Sequence, residues 1–186
     1  MEALLVSIGI VALAEIGDKT QLLTLVLAAR YRKPWPIVAG IFVATLINHG
    51  IAGAVGAWLT AMIGPGAMRW ILGISFIAMA IWMLVPDKLD DDTGSQRKLG
   101  GVFVSTAILF FFVEIGDKTQ IATVALAARF GSLAAVVLGT TLGMMLANAP
   151  VAFFGEALAR RLPVALVHRV AAAVFAALGL GVLLSG

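Results

Sequence analysis

Cysteine is absent from the 186 residues. That excludes a disulfide framework, thiolate metal sites and cysteine nucleophiles. Charge is scarce as well. Asp, Glu, Lys and Arg make up 12% of the chain against 61% apolar residues, and the mean hydropathy is +1.06. Soluble domains carry about 25% charged and about 45–50% apolar residues, so a water-soluble globule of this size has nowhere to hide so much apolar surface. No Asp, Glu, Lys or Arg falls between Val38 and Arg69, a stretch longer than the roughly 20 apolar residues a membrane helix needs. The lipid bilayer is therefore the expected solvent and partner. The N-terminus lacks the marks of a secretory signal: it opens with Glu2, has no basic segment, and shows no small-residue cleavage site. A net charge of +3 and a pI near 9.7 do not imply nucleic acid, because Lys and Arg sit mostly in short loops, where membrane topology accounts for them.

Six apolar runs bounded by charges or turn residues are present: Ala3–Ala29, Pro36–Ala61, Ala67–Val85, Gly101–Ala128, Ser132–Leu158 and Pro163–Leu184. The one long linker, Pro86–Gly100, holds Asp87, Asp90, Asp91, Asp92, Gly94 and Ser95 and reads as a solvated loop. Shifting the chain by 99 positions lays EIGDKTQLLTLVLAAR (15–30) on EIGDKTQIATVALAAR (114–129), with 12 of 16 positions identical. The same shift puts Gly40 on Gly139, Gly56 on Gly155 and Phe76 on Phe175. Each half holds three spans. Three is odd, so the second half must enter the membrane from the opposite side, a common plan for secondary transporters. The expected fold is an all-α integral membrane protein of six transmembrane helices in two inverted three-helix repeats, residues 1–85 and 101–186, joined by an acidic linker at 86–100. Arg30, Arg32, Lys33, Lys88, Arg97, Lys98, Arg160 and Arg161 collect on one side, and little beyond Arg69 and Arg129 on the other. The positive-inside rule makes the first side cytoplasmic, with both termini outside and the linker inside.

Ionisable residues inside those runs need a reason, since each costs about 2.5–3.5 kcal/mol at mid-bilayer on insertion scales. Each heptapeptide carries three: Glu15, Asp18 and Lys19, then Glu114, Asp117 and Lys118. They must face one another, a water-filled cavity or an ion. On a continuous helix Glu15 and Asp18 are i, i+3 neighbours and share a face, as do Glu114 and Asp117. Gly17 and Gly116, between the acids, allow close helix approach or an opening of the helix that exposes carbonyls. Converging inverted halves would gather four carboxylates with the amides of Gln21 and Gln120 and the hydroxyls of Thr20 and Thr119. Such hard oxygen donors suit Ca²⁺, Mg²⁺ or Mn²⁺. Four carboxylates and two lysines leave a charge of −2, which one divalent cation or two protons would balance. A site unable to hold both at once exchanges them by mass action.

Other polar residues have plainer readings beside the functional ones. Lys19 and Lys118 either pair with the acids or orient neighbours. Thr24 and Thr123 suit hydrogen bonds to their own helices. His49, preceded by Asn48 and matched by Asn148 across the repeat, reads as helix–helix glue or as lining of the ion pathway. Gly50, Gly53 and Gly56 read as a packing stripe.

The pattern E-x-G-D-[KR]-[TS], present twice in a six-span chain, resembles the calcium/manganese cation–proton antiporter family, which includes bacterial manganese exporters and Golgi and chloroplast envelope members. The resemblance covers nearly the whole chain and implies cation-for-proton exchange, with Glu15, Asp18, Glu114 and Asp117 as cation ligands and Thr20 and Thr119 close by. The short linker is similar to the compact bacterial branch. That implies manganese as the first choice of exported ion and calcium as the second, protons as counter-ions, no cofactor, and a bacterial plasma membrane. A homo-oligomer is compatible with this plan. Three rivals stand beside it. An exporter of small amino acids or another organic solute needs a larger, apolar-walled pocket. A passive cation channel can also use acid rings. An enzyme would have to bring His49 to Ser75 or Ser105, which nothing in the sequence does, so no enzymatic activity is expected.

Overall fold

The structure is a computed structural model and describes residues 1–85, 100–155 and 163–184. The aspartate run at 87–92 and the basic residues Lys88, Arg97, Lys98, Arg160 and Arg161 lie outside these. Regular structure among the described residues is helical throughout: α1 (Glu2–Glu15), α2 (Lys19–Tyr31), α3 (Pro34–Met62), α4 (Pro65–Trp82), α5 (Val102–Glu114), α6 (Lys118–Phe130), α7 (Leu133–Phe154) and α8 (Val164–Leu184). Among the described residues α3, α7 and α8 are long and apolar enough to cross a membrane. The runs read from sequence as continuous spans at Ala3–Ala29 and Gly101–Ala128 are instead two short helices each.

The break has a local cause. Gly17 and Gly116 have φ of 84° and 77°, a region that L side chains enter only at a cost. The isoleucines before them are extended, with ψ of 114° at Ile16 and 120° at Ile115. The aspartates after them, Asp18 and Asp117, have extended backbones and serve as N-cap residues of α2 and α6. Backbone donors freed by such a break must find partners away from water. The Gly17 N–H donates to Gln21 Oε1 at 2.9 Å, and the Gly116 N–H donates to Gln120 Oε1 at 2.7 Å. The glutamines therefore brace the breaks.

The halves pack on each other in exchange. α1 runs along α7, and α5 runs along α3. A methyl group at Gly139 would come within 2.7 Å of the Leu4 carbonyl oxygen and Ser7 Cβ, and one at Gly40 within 2.8 Å of the Phe103 carbonyl oxygen and Thr106 Cβ. The 99-residue shift converts the first set of contacts into the second. α4 and α8 form a tight pair of their own. A Cβ at Gly179 would lie 2.9 Å from the Gly73 carbonyl oxygen, and Phe76 lies 6.3 Å from Phe175 between ring centroids. α4 packs on α6 and α8 on α1; among the described residues neither makes more than marginal contact with α2 or α5.

The outer faces of α3 and α7 expose Ile47, Ile51, Val55 and Trp58, and Leu138, Leu142 and Leu146. Apolar residues repeating about every four positions form a stripe along a helix. A stripe this size facing outward fits lipid, whereas in water it would be an association surface.

Candidate cation site

Glu15 is the last residue of α1 and Glu114 the last of α5. Both helices thus turn their C-terminal ends, which carry partial negative charge, toward the same region. One carboxylate oxygen from each of Glu15, Glu114 and Asp117 lies within 4.8 Å of the others, and all three residues are buried. Oxygens on opposite sides of a calcium-sized cation, each about 2.3–2.6 Å away, are about 4.6–5.2 Å apart. The three acids are therefore spaced to share one ion.

Asp18 does not join them. Its Oδ1 faces Lys118 Nζ at 4.0 Å, and its Oδ2 lies 3.5 Å from the Thr20 amide. The shared helical face expected for Glu15 and Asp18 is absent because the helix stops between them. The same break separates Glu114 from Asp117, but Asp117 Oδ1 meets Lys19 Nζ at 2.9 Å and the residue still reaches the cluster. Each lysine thus pairs with the aspartate of the other heptapeptide.

The threonines act on the glutamates. The Thr20 hydroxyl donates to Glu15 Oε2, and the Thr119 hydroxyl lies 3.4 Å from both Glu114 Oε2 and Asp117 Oδ2. Oε1 of Glu15 and Oε1 of Glu114 are buried with no hydrogen-bond partner among the described residues. A bare buried carboxylate oxygen is costly, and a cation or a proton would relieve it.

Exchange between the halves continues around the cluster. His49, on α3, brings Nε2 within 3.8 Å of Glu114 Oε2. Its repeat equivalent Asn148, on α7, places Nδ2 3.4 Å from Glu15 Oε2 and accepts the Thr24 hydroxyl at 2.8 Å. Asn48 turns elsewhere: its amide donates to the Phe111 carbonyl at 3.0 Å and ties α3 to α5. Gln21 Nε2 donates to the Ala147 carbonyl at 3.2 Å. Both glutamine oxygens are engaged by the glycine N–H groups. Thr123 donates to the Thr119 carbonyl, four residues back, while the one Thr24 O–H is shared between the Thr20 carbonyl at 2.9 Å and Asn148 Oδ1.

Two features of the surroundings escaped the sequence. His168 on α8 brings Nε2 within 2.8 Å of the Ile16 carbonyl oxygen, in the first break. Lys118 Nζ lies 3.3 Å from the Val85 carbonyl oxygen and 5.9 Å from the centre of the Trp82 ring, just past and at the end of α4. Only the 99-residue offset, which puts His168 on Arg69, hinted that position 168 has a counterpart. Cavities of about 610, 540, 680 and 210 Å³ lie elsewhere, and none is lined by Glu15, Glu114 or Asp117.

A family model described as divalent cation/proton antiporter GDT1 matches residues 3–91 and 102–186. A Vibrio cholerae protein provisionally named a manganese exporter is 51% identical over 176 residues, which is 94% of this chain and 87% of the relative. A GDT1-like protein of Synechocystis is 28% identical over 159 residues, 74% of this chain and 77% of the relative. GDT1-like protein 5 of Arabidopsis thaliana is 26% identical over 193 residues and covers 84% of each chain. No solved structure matches.

Proposed function

The chain belongs to the divalent cation/proton antiporter GDT1 family, and from that premise we propose that it exports manganese from the cytoplasm in exchange for protons. The family is one of membrane transporters, so the chain is a transporter and not an enzyme. Under this reading residues 1–85 and 101–186 are two inverted three-span halves, with the broken pairs α1–α2 and α5–α6 each counted as one span. Both termini lie outside the bacterial plasma membrane, and the linker at 86–100 lies inside it.

The observation that carries the reading is the convergence of Glu15, Glu114 and Asp117 from two broken spans, with oxygens within 4.8 Å and one bare oxygen on each glutamate. Mn²⁺ entering from the cytoplasm displaces protons from these acids. The halves rearrange, the ion leaves outside, and external protons reload the site. Asp18 and the two lysines set the charge around it. Manganese is put ahead of calcium on the name of the Vibrio relative, since both ions take oxygen ligands.

The test is Mn²⁺ movement into proteoliposomes against its concentration gradient, driven by an imposed pH difference, with Ca²⁺ in parallel. Uphill Mn²⁺ movement that collapses with a protonophore is the expected result. Flux that only runs downhill would make the chain a channel, and Ca²⁺ moving faster than Mn²⁺ would reverse the choice of ion.

A further inference from the structure

The helices α4 and α8 cover the two heptapeptides unequally. The first break lies under the start of α8. A Cβ at Gly17 would collide with the Val164 side chain and stand 3.2 Å from His168 Nε2. A carbonyl oxygen can only accept, so the 2.8 Å contact requires His168 Nε2 to carry a proton and donate to the Ile16 carbonyl. The second break has no such cover. Ile115 is 54% exposed, a Cβ at Gly116 would meet nothing within 4 Å, and among the described residues no side chain donates to the Ile115 carbonyl.

Position 168 corresponds to Arg69 under the 99-residue shift, just as Ile16 corresponds to Ile115. Each is the fifth residue of its helix. Arg69 is only partly engaged where it stands: its guanidinium lies 5.7 Å from the centre of the neighbouring Trp70 ring. Its Nε is buried without a hydrogen-bond partner among the described residues, and the cavity of about 680 Å³ that it lines includes Arg129 but no carboxylate. The same shift turns α1 into α5 and α6 into α2. Moving the α4–α8 pair from its present seat on α1 and α6 to the equivalent seat on α5 and α2 would bring Arg69 to the Ile115 carbonyl.

We propose that His168 is a positioning residue of the exchange cycle: it holds the Ile16 carbonyl, and with it the end of α1 that bears Glu15, in the present state, while Arg69 takes the Ile115 carbonyl in the opposite state. The two residues are alternate latches for one moving helix pair. This rests on the reading of the chain as an exchanger with equivalent halves. In the present state the uncovered side is that of α2 and α5, which the loop charges make cytoplasmic.

The absence of cysteine makes the test clean. Val26 lines the cavity between α2 and α7, and its repeat equivalent Ala125 is 3% exposed. Val26→Cys and Ala125→Cys, introduced singly, report the two states through their rates of labelling with a water-soluble maleimide. His168→Ala should raise the 125-to-26 rate ratio about fivefold, the population shift expected from losing one ordinary hydrogen bond. Arg69→Ala should move the ratio the opposite way. His168→Gln, whose amide can still donate, should restore the wild-type ratio. Opposite signs are something a general loosening of the fold cannot produce. A ratio unmoved by both alanine variants, or moved in one direction by both, would overturn the proposal. Mn²⁺ transport by the wild type is read separately. If Mn²⁺ is not carried yet the ratio moves with opposite signs, the choice of cargo fails and the latch stands; if Mn²⁺ is carried and the ratio is still, the latch alone fails.

Discussion

Gly17 lies beneath Val164 and His168, while Gly116, 99 residues later in an identical heptapeptide, has nothing within 4 Å of where a Cβ would be. Lys118 is 1% exposed and reaches the Val85 carbonyl; Lys19 is 24% exposed. The seven residues take the same backbone path in both places, down to the positive-φ glycine and the aspartate N-cap. Their surroundings differ because α4 and α8 both lean to one side of the site. Local sequence therefore sets the shape of each motif, and the position of one helix pair sets its exposure.

The largest effect that would sharpen this comparison concerns the aspartates. Asp117 sits in the three-acid cluster and Asp18 does not. Asp117→Asn should cut Mn²⁺ transport about a hundredfold or more, and Asp18→Asn about tenfold at most, measured by proteoliposome uptake. Equal losses would mean that the two halves contribute ligands symmetrically. Next come the lysines. Lys118→Met leaves Asp18 buried without its lysine and should cost about 3–5 kcal/mol of stability. Lys19 is 24% exposed over a buried Asp117, so water can take its place and Lys19→Met should cost less, about 1–2 kcal/mol. Thermal unfolding in detergent gives the order, and a reversed order would show that α4 does not shelter Lys118. Both glycines carry the strain of positive φ, about 1–2 kcal/mol on substitution. Gly17→Ala should lose more than Gly116→Ala because of the collision with Val164, and Val164→Ala should recover the difference in the double variant. The smallest contrast is Thr24→Ala against Thr123→Ala. Thr123 gives its one O–H to its own helix, whereas Thr24 shares its O–H between the Thr20 carbonyl and Asn148 Oδ1, so only Thr24→Ala leaves a second buried acceptor without a donor. An extra cost of about 1 kcal/mol for Thr24→Ala is expected, and no difference would remove Asn148 from the bracing of Glu15.

Much of this arrangement was legible beforehand. The 99-residue offset, the doubled heptapeptide and the long apolar runs needed only the sequence, and Gly17 and Gly116 marked the places where a helix could open. The exclusion of Asp18 was not legible, because the i, i+3 argument assumes an unbroken helix and the positive φ at Gly17 removes that premise. The crossed lysine–aspartate pairs join residues about 98–100 positions apart, and no helical periodicity reports on contacts at that range. His168 was missed for the same reason. It touches a backbone carbonyl 152 residues away, and a carbonyl leaves no trace in residue identity.

The crossing of the lysines has a consequence for leakage. An exchanger wastes its driving gradient whenever it returns with nothing aboard. On the proposed exchange, the empty centre holds three clustered carboxylates with Asp18 beside them against two ammonium groups, and each ammonium faces the aspartate of the opposite half. Stripped of both cargo and protons, the centre keeps an excess of two negative charges in apolar surroundings, where uncompensated charge is most expensive. If the chain exchanges cation for protons as proposed, the unproductive return is the uphill one, and tight coupling needs no separate gate.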